Sequence, residues 1–187
     1  MATTWRPDRG MSVKDLGNNA FVFQFFHTYD LIKVLNDGPW SFMQHLLILK
    51  ELKPREDSRA IEPTRMKIWV QVHSLHSGFM SETIGEYMGS FFSLDKKNFT
   101  GFLKEYMRVR ISIDVCQPLN WKMQLSKRGV DWFWADFKYV RLPTFCYFCG
   151  VIGYTDRYCS KLYDLLIEHN LDHIIMMLLM LIYTFSA

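Results

Sequence analysis

An α+β fold is what this sequence predicts, on three observations. Residues 67–75 and 106–115 alternate apolar and polar side chains with the two-residue period of a half-buried strand. Between the strand-like stretches, apolar residues recur at helical spacing, as in Leu31, Val34 and Leu35, and again in Met80, Ile84, Tyr87 and Met88. The chain has 187 residues, 49% apolar and 22% charged, which suffices for one moderate core or two small ones and is not the composition of a disordered chain.

Taken in order, residues 12–16 predict a short strand, Gly17-Asn18-Asn19 a hairpin turn, and residues 20–26 a second strand with Phe21, Phe23 and Phe25 on one face, assigned to the core. A helix is expected from Thr28, with Leu31, Val34 and Leu35 facing inward and Gly38-Pro39 ending it. Leu46-Leu47-Ile48-Leu49 is a continuous apolar run of the kind found in a buried strand. Residues 53–64, with Pro54, Pro63 and clustered charges, form the linker. The next strand sets Ile68, Val70 and Val72 against Trp69, Gln71 and His73, and a helix of about three turns follows from Met80. Residues 106–115 place Val109, Ile111, Ile113 and Val115 on one face with Arg108, Arg110, Ser112 and Asp114 on the other. A last strand, 132–140, alternates through Phe133, Ala135, Phe137 and Tyr139. The organisation expected is a first α+β module at 1–65, a second at 66–142, a metal-binding motif at 143–161 and an apolar helical tail at 162–187.

That motif is Cys146-x2-Cys149-x4-Tyr154-x4-Cys159, the spacing of a CCHC-type zinc knuckle with tyrosine at the histidine position. Gly150 and Gly153 fall where such a loop needs tight turns. A phenol keeps its proton to a pKa of about 10, whereas imidazole offers a free nitrogen at neutral pH, so Cys146, Cys149 and Cys159 remain as three good ligands. Metal binding contributes about 10–16 kcal/mol to the folding of zinc-finger peptides, so the missing ligand predicts weakened or lost zinc binding and a weak or unfolded knuckle.

The net charge is only +3, but it is unevenly spread: residues 101–161 hold ten Lys or Arg against five Asp or Glu, and residues 1–100 hold twelve against eleven. The basic half is the half with the knuckle. Arg108 and Arg110 on one strand face, with Lys122, Lys127, Arg128, Lys138 and Arg141 near in sequence, could form a phosphate-contacting surface, or an ordinary solvated strand face. Tyr147 sits inside the knuckle where an aromatic ring can stack on an unpaired base, with Arg157 and Lys161 beside it for the nucleic-acid backbone.

Asp37-Gly38-Pro39-Trp40-Ser41-Phe42, Ile68-Trp69-Val70-Gln71-Val72-His73, Gly78-Phe79-Met80-Ser81, Arg108-Val109-Arg110-Ile111-Ser112-Ile113-Asp114-Val115 and Leu142-Pro143-Thr144-Phe145-Cys146 occur here in one order. As an ordered set they resemble a plant retrotransposon-derived family in which a conserved domain of unknown function precedes a CCHC-type knuckle, similar to the first open reading frame product of plant LINE elements. The resemblance covers residues 5 to 163. It implies nucleic-acid and zinc binding, without an assigned enzymatic activity, and a front module like an RRM, whose βαββαβ order would here be represented by its second half. The chain departs from that pattern at Tyr154, at Ser160 where proline is frequent, and at the front, where a strand and a helix would precede Trp5. The expected first module is therefore a truncated RRM-like one.

His73 with His76, and His169 with His173, are spaced like structural or solvated pairs, His169 being the one remote substitute for the fourth ligand, and Cys116 reads as a buried thiol. No phosphate-binding loop, His-Glu-x-x-His or Gly-x-Ser-x-Gly occurs, so binding rather than catalysis is expected. Residues 174–185 form an apolar run too short for a membrane span, which needs about 20 residues, so a helix against the body or a protein partner is expected instead. Cysteines in ligand spacing and the lack of a signal peptide point to the nucleus or cytoplasm. The function expected is binding of nucleic acid, single-stranded RNA or DNA, with a protein-interaction or scaffold role as the alternative.

Overall fold

The computed structural model of the chain describes residues 2–43, 45–58, 61, 63–75, 82–99, 105–127 and 130–169. Within them the protein is mixed α and β, with strands predominating. Arg128, His76, His173 and residues 170–187, including the apolar run 174–185, lie outside the described residues, as does the ring of His169. Among the described residues no helix is long and apolar enough to cross a membrane.

The first part of the chain contains α1 (Ala2–Trp5), β1 (Met11–Gly17), β2 (Ala20–Phe25), α2 (Thr28–Asp37), β3 (Trp40–Phe42) and β4 (His45–Leu47). β1 and β2 form an antiparallel hairpin in which Gly17 faces Ala20, and Asn18 and Asn19 take φ of 50° and 58°. Asparagine tolerates this left-handed region better than most residues, and two such positions in succession match the twist of a tight hairpin. The phenylalanine face of β2 gathers around buried Trp5, whose ring lies 4.8 Å from Phe23, 6.0 Å from Phe25 and 6.2 Å from Trp40. Phe21, expected in the core, is instead half exposed at the turn end, its ring 6.4 Å from Phe23 at the edge of that cluster.

β3 and β4 form a second hairpin of three residue pairs, separate from β1 and β2. The apolar run 46–49 is accordingly not the buried strand expected of it. A run that is apolar on both faces becomes a central strand only with a neighbour on each side, and among the described residues β4 pairs with β3 alone.

α2 starts at His27, whose Nδ1 accepts from the Tyr29 amide at 3.0 Å. Val34 is buried on its inner face, and so is Asp30, at 1% exposure. The Asp30 carboxylate accepts from the amides of Asp8 and Arg9, each at 3.0 Å, fastening the segment before β1 to the first turn of the helix. The Arg9 amide bond is the chief influence on the carboxyl and outweighs the cost of burial, so its pKa lies below the ordinary value. A folded pKa below the unfolded one stabilises the fold at neutral pH, and this contribution fades as acid takes the pH down through the folded value. Asp30→Asn, which keeps the shape and removes the charge, is expected to lower the protection of the Asp8 and Arg9 amides, measured against the intrinsic exchange rate at each pH, and to abolish the loss of that protection as acid titrates the carboxyl. Unchanged protection would show that the clamp is not held by charge.

The rest of the chain builds one antiparallel five-stranded sheet in the order β6-β7-β5-β9-β8, from β5 (Arg65–His73), β6 (Ser90–Leu94), β7 (Tyr106–Asp114), β8 (Lys122–Lys127) and β9 (Val130–Tyr139). β5 is central: Val70 faces Val109 of β7 on one side and Tyr139 of β9 on the other. The period-two pattern resolves as the sequence predicts, with Met66, Ile68, Val70 and Val72 of β5 packed beside Val109, Ile111 and Ile113 of β7. α3 (Glu82–Met88) covers this inner face with Ile84 and Met88, while its Tyr87 stays half exposed. Each fully buried aliphatic side chain here stabilises the fold by about 1.5–3 kcal/mol relative to exposure.

Candidate metal centre and nucleic-acid interface

The knuckle follows β9 as a loop whose backbone closes on itself. Phe145 and Ile152 form an antiparallel bridge, the Cys146 amide donates to Val151 at 2.8 Å, the Gly150 amide to Cys146 at 2.8 Å, and the Gly153 amide to Thr144 at 2.8 Å. Gly150 and Gly153 have φ of +76° and +108°, values that a side chain resists, which explains why the two reversals fall on glycine. A short 3-10 turn, Asp156–Tyr158, brings Cys159 back to the first two cysteines, and α4 (Ser160–His169) continues from it.

This path gathers the three thiols. The sulfurs of Cys146, Cys149 and Cys159 all lie within 4.8 Å of one another, Cys146 and Cys159 buried and Cys149 half buried. Tetrahedral zinc with Zn–S bonds of about 2.3 Å sets its sulfurs about 3.8 Å apart, so a small contraction would suffice. Three thiols with no disulfide among them are the donor set that zinc favours, and three of the four positions therefore fit.

The fourth position belongs to Tyr154. Its hydroxyl lies 3.1 Å from the Cys149 sulfur, so the backbone delivers residue 154 to the place a ligand would occupy while the side chain brings a phenol. The hydrogen bond to Cys149, and then burial, push the phenol up to about 12, keeping its proton on at neutral pH. At Cys149 burial favours the thiol, but hydrogen bonds from Tyr154 and the Val151 amide outweigh it and draw the group below its ordinary value. Burial raises Cys146. Tyr154 thus shares a hydrogen bond with the Cys149 sulfur and leaves its own oxygen protonated.

The knuckle is seated on the sheet. The Leu119 amide donates to the Gly150 carbonyl at 3.0 Å, and Leu119 and Ile152 join the same core as Val70 and Ile111. A row of aromatic rings runs from β9 into the knuckle: Tyr139 to Trp121 at 5.6 Å, Trp121 to Phe145 at 5.2 Å, and Phe145 to Tyr147 at 4.5 Å. Tyr147 ends this row 63% exposed, so Phe145 orients a ring that solvent can still reach. Arg157 and Lys161, which flank Cys159 at the end of the knuckle, are exposed, and Lys138 is exposed on the outer face of β9.

Three arginines expected to meet phosphate stand differently. Arg110 is 4% exposed: its guanidinium donates to the Leu35 carbonyl at 2.9 Å and lies 5.4 Å from the Trp69 ring. Arg141 donates to the Asp37 carbonyl at 3.1 Å, and Trp40 Nε1 donates to Val34 at 2.8 Å. The last carbonyls of a helix have no partner inside it and carry partial negative charge. Arg110, Arg141 and Trp40 supply donors to the end of α2, so the strand face read as solvated is at this end a joint between the two parts of the chain. Arg108, on the same strand, pairs with Asp95 at 3.2 Å and lies over Trp69 at 4.6 Å. It remains partly exposed, but its charge is already partnered.

Cys116 is exposed rather than buried, because it falls in the turn after β7, where its amide donates to Asp114. His73 stacks on Tyr106 at 5.1 Å and meets the Gln71 side chain at 3.1 Å, a structural setting. Burial, then the charge of Lys138, lower its pKa.

Comparison with protein families agrees with the two ends of this description. Residues 1–59 match the model of a domain of unknown function, DUF4283, and residues 113–161 match that of a zinc knuckle. No curated protein and no solved structure matches the chain. The second match begins in β7 and spans β8 and β9, so the segment that matches the knuckle family includes the strands on which the cysteine loop is seated.

Proposed function

We propose that this protein binds single-stranded nucleic acid through its knuckle, by binding rather than turnover, and that it derives from a retroelement of plant type acting in the nucleus or cytoplasm. The observation that carries the reading is the gathering of three thiol sulfurs within 4.8 Å beside the exposed ring of Tyr147. Cys146, Cys149 and Cys159 would hold zinc, which when bound cross-links the loop. Tyr147 offers the face of its ring to an unpaired base, a contact indifferent to base identity because every base has a π face. Arg157 and Lys161 supply the positive charge for the adjoining phosphates. The order of a domain of unknown function and then a knuckle supports the origin proposed.

Anisotropy titration of labelled single-stranded RNA and DNA with the full chain, in zinc-containing buffer, tests the reading. Tyr147→Ala is expected to weaken binding by about 5- to 150-fold, the effect of losing one base–aromatic stack. Arg157→Ala with Lys161→Ala should flatten the slope of log K against log salt by about 1.4, the share of two phosphate contacts on a single strand. Failure of the wild-type chain to bind any single strand, even at low salt, would end the proposal.

A further inference from the structure

The outer face of β9 carries two tryptophans that stay about half or more exposed. Trp132 is 68% exposed and Trp134 49% exposed. They stand two residues apart on one strand and so point to the same side, about 6.6–6.8 Å apart along it. The alternate residues Ala135 and Phe137 are buried in the core, which fixes the strand's orientation and rules out a turn of these two rings inward. Across the ladder, Gln124 faces Trp134 and Lys122 faces Asp136, and the Lys122 ammonium lies 4.6 Å over the Trp134 ring. Lys138, exposed, continues the same face.

We infer that this face is a second binding surface for single-stranded nucleic acid, on which Trp132 and Trp134 each stack one base while Lys122 and Lys138 meet the phosphates. The inference rests on the nucleic-acid reading of the knuckle but places contacts on another element. Aromatic rings on an open sheet with cations between them are the chemistry of single-strand recognition: rings take bases, ammonium groups take the backbone. Lysine is depleted at the centre of protein–protein interfaces, whereas here Lys122 sits directly over one of the two rings. Among the described residues of this part of the face, Lys122 and Lys138 stand against the single carboxylate of Asp136, which accepts from the Ser74 hydroxyl at 3.4 Å. The spacing of the rings suits two neighbouring bases of an extended strand, and a duplex, whose bases are already stacked, offers them nothing.

The test uses the full chain with zinc present and a short labelled oligothymidylate, single-stranded or annealed to its complement. Trp132→Ala with Trp134→Ala is expected to weaken single-strand binding at least tenfold, with the salt slope unchanged and duplex binding unaffected. Trp132→Phe with Trp134→Phe, which keeps two rings on the strand, should recover most of the affinity, so that a folding defect in the alanine variant cannot pass for lost stacking. Lys122→Ala with Lys138→Ala should flatten the salt slope. If the wild-type chain binds the single strand and the alanine pair binds it equally, this surface is overturned while the knuckle reading stands. If the wild-type chain binds none, both fall. If the alanine pair leaves oligonucleotide binding intact but abolishes self-association in sedimentation, the face is a protein interface and the inference is wrong.

Discussion

Tyr154→His is expected to raise the affinity for zinc by about a hundred- to a thousandfold. Structural zinc contributes about 10–16 kcal/mol over four ligands, so one ligand is worth roughly a quarter of this, about 2.5–4 kcal/mol. The backbone already carries residue 154 to the sulfur cluster, where its hydroxyl stands 3.1 Å from Cys149. Only the donor atom is wrong, since the hydrogen bond and burial hold the proton on the phenol. An imidazole there would offer a free nitrogen at neutral pH. Competition titration of both proteins against a chromogenic chelator measures the difference. Equal and tight zinc binding by the two would mean that another group in the chain, or the phenol itself, already completes the site.

Arg110→Ala is expected to lower the stability of the protein by about 2–3 kcal/mol, the range for a hydrogen bond to a charged group together with the partly buried carbonyl it leaves unpaired. The side chain is nearly inaccessible, and it joins β7 to the Leu35 carbonyl at the end of α2. A phosphate-contacting arginine would behave in the opposite way, with stability intact and a flatter salt dependence of nucleic-acid binding. Urea unfolding read through the denaturation midpoint, alongside the salt slope, separates the two. A stable variant with a reduced slope would return Arg110 to the binding surface.

Why was Arg110 misread from the sequence, when its strand was found correctly? Alternation along residues 106–115 depends on nearest neighbours, and burial of Val109, Ile111 and Ile113 follows it. What covers the other face depends on a helix 75 residues away, and no local pattern encodes that contact. The same limit applies to Asp30, whose partners are the backbone amides of Asp8 and Arg9. The hairpin at Asn18-Asn19, the end of α2 at Gly38 and the glycine turns of the knuckle were legible because each is set by the conformation of one or two residues. α1, β3, β6 and β8 were not foreseen. α1, β3 and β6 are short, β8 carries Met123 and Leu125 between polar residues, and α4 begins directly on the knuckle, two residues before the helical tail expected from residue 162. Within the site, the cysteine spacing identified the sulfur cluster, whereas the outward tryptophans of β9 were the unremarked half of an alternation read only for its inward members.

The seating of the knuckle on the sheet bears on how such a site can change over generations. A free-standing zinc module loses its shape with any ligand, so a substitution there is exposed to selection at once as misfolding. Here Leu119 and Ile152 tie the loop into the core, and the Gly150 carbonyl is held by the Leu119 amide. Its backbone has anchors that do not depend on residue 154. A histidine lost at that position would lower metal affinity while leaving the chain folded, and the original residue could return by one substitution without rebuilding anything around it. The loop is thereby a site whose ligand set can drift, and be recovered, on a scaffold that stays intact.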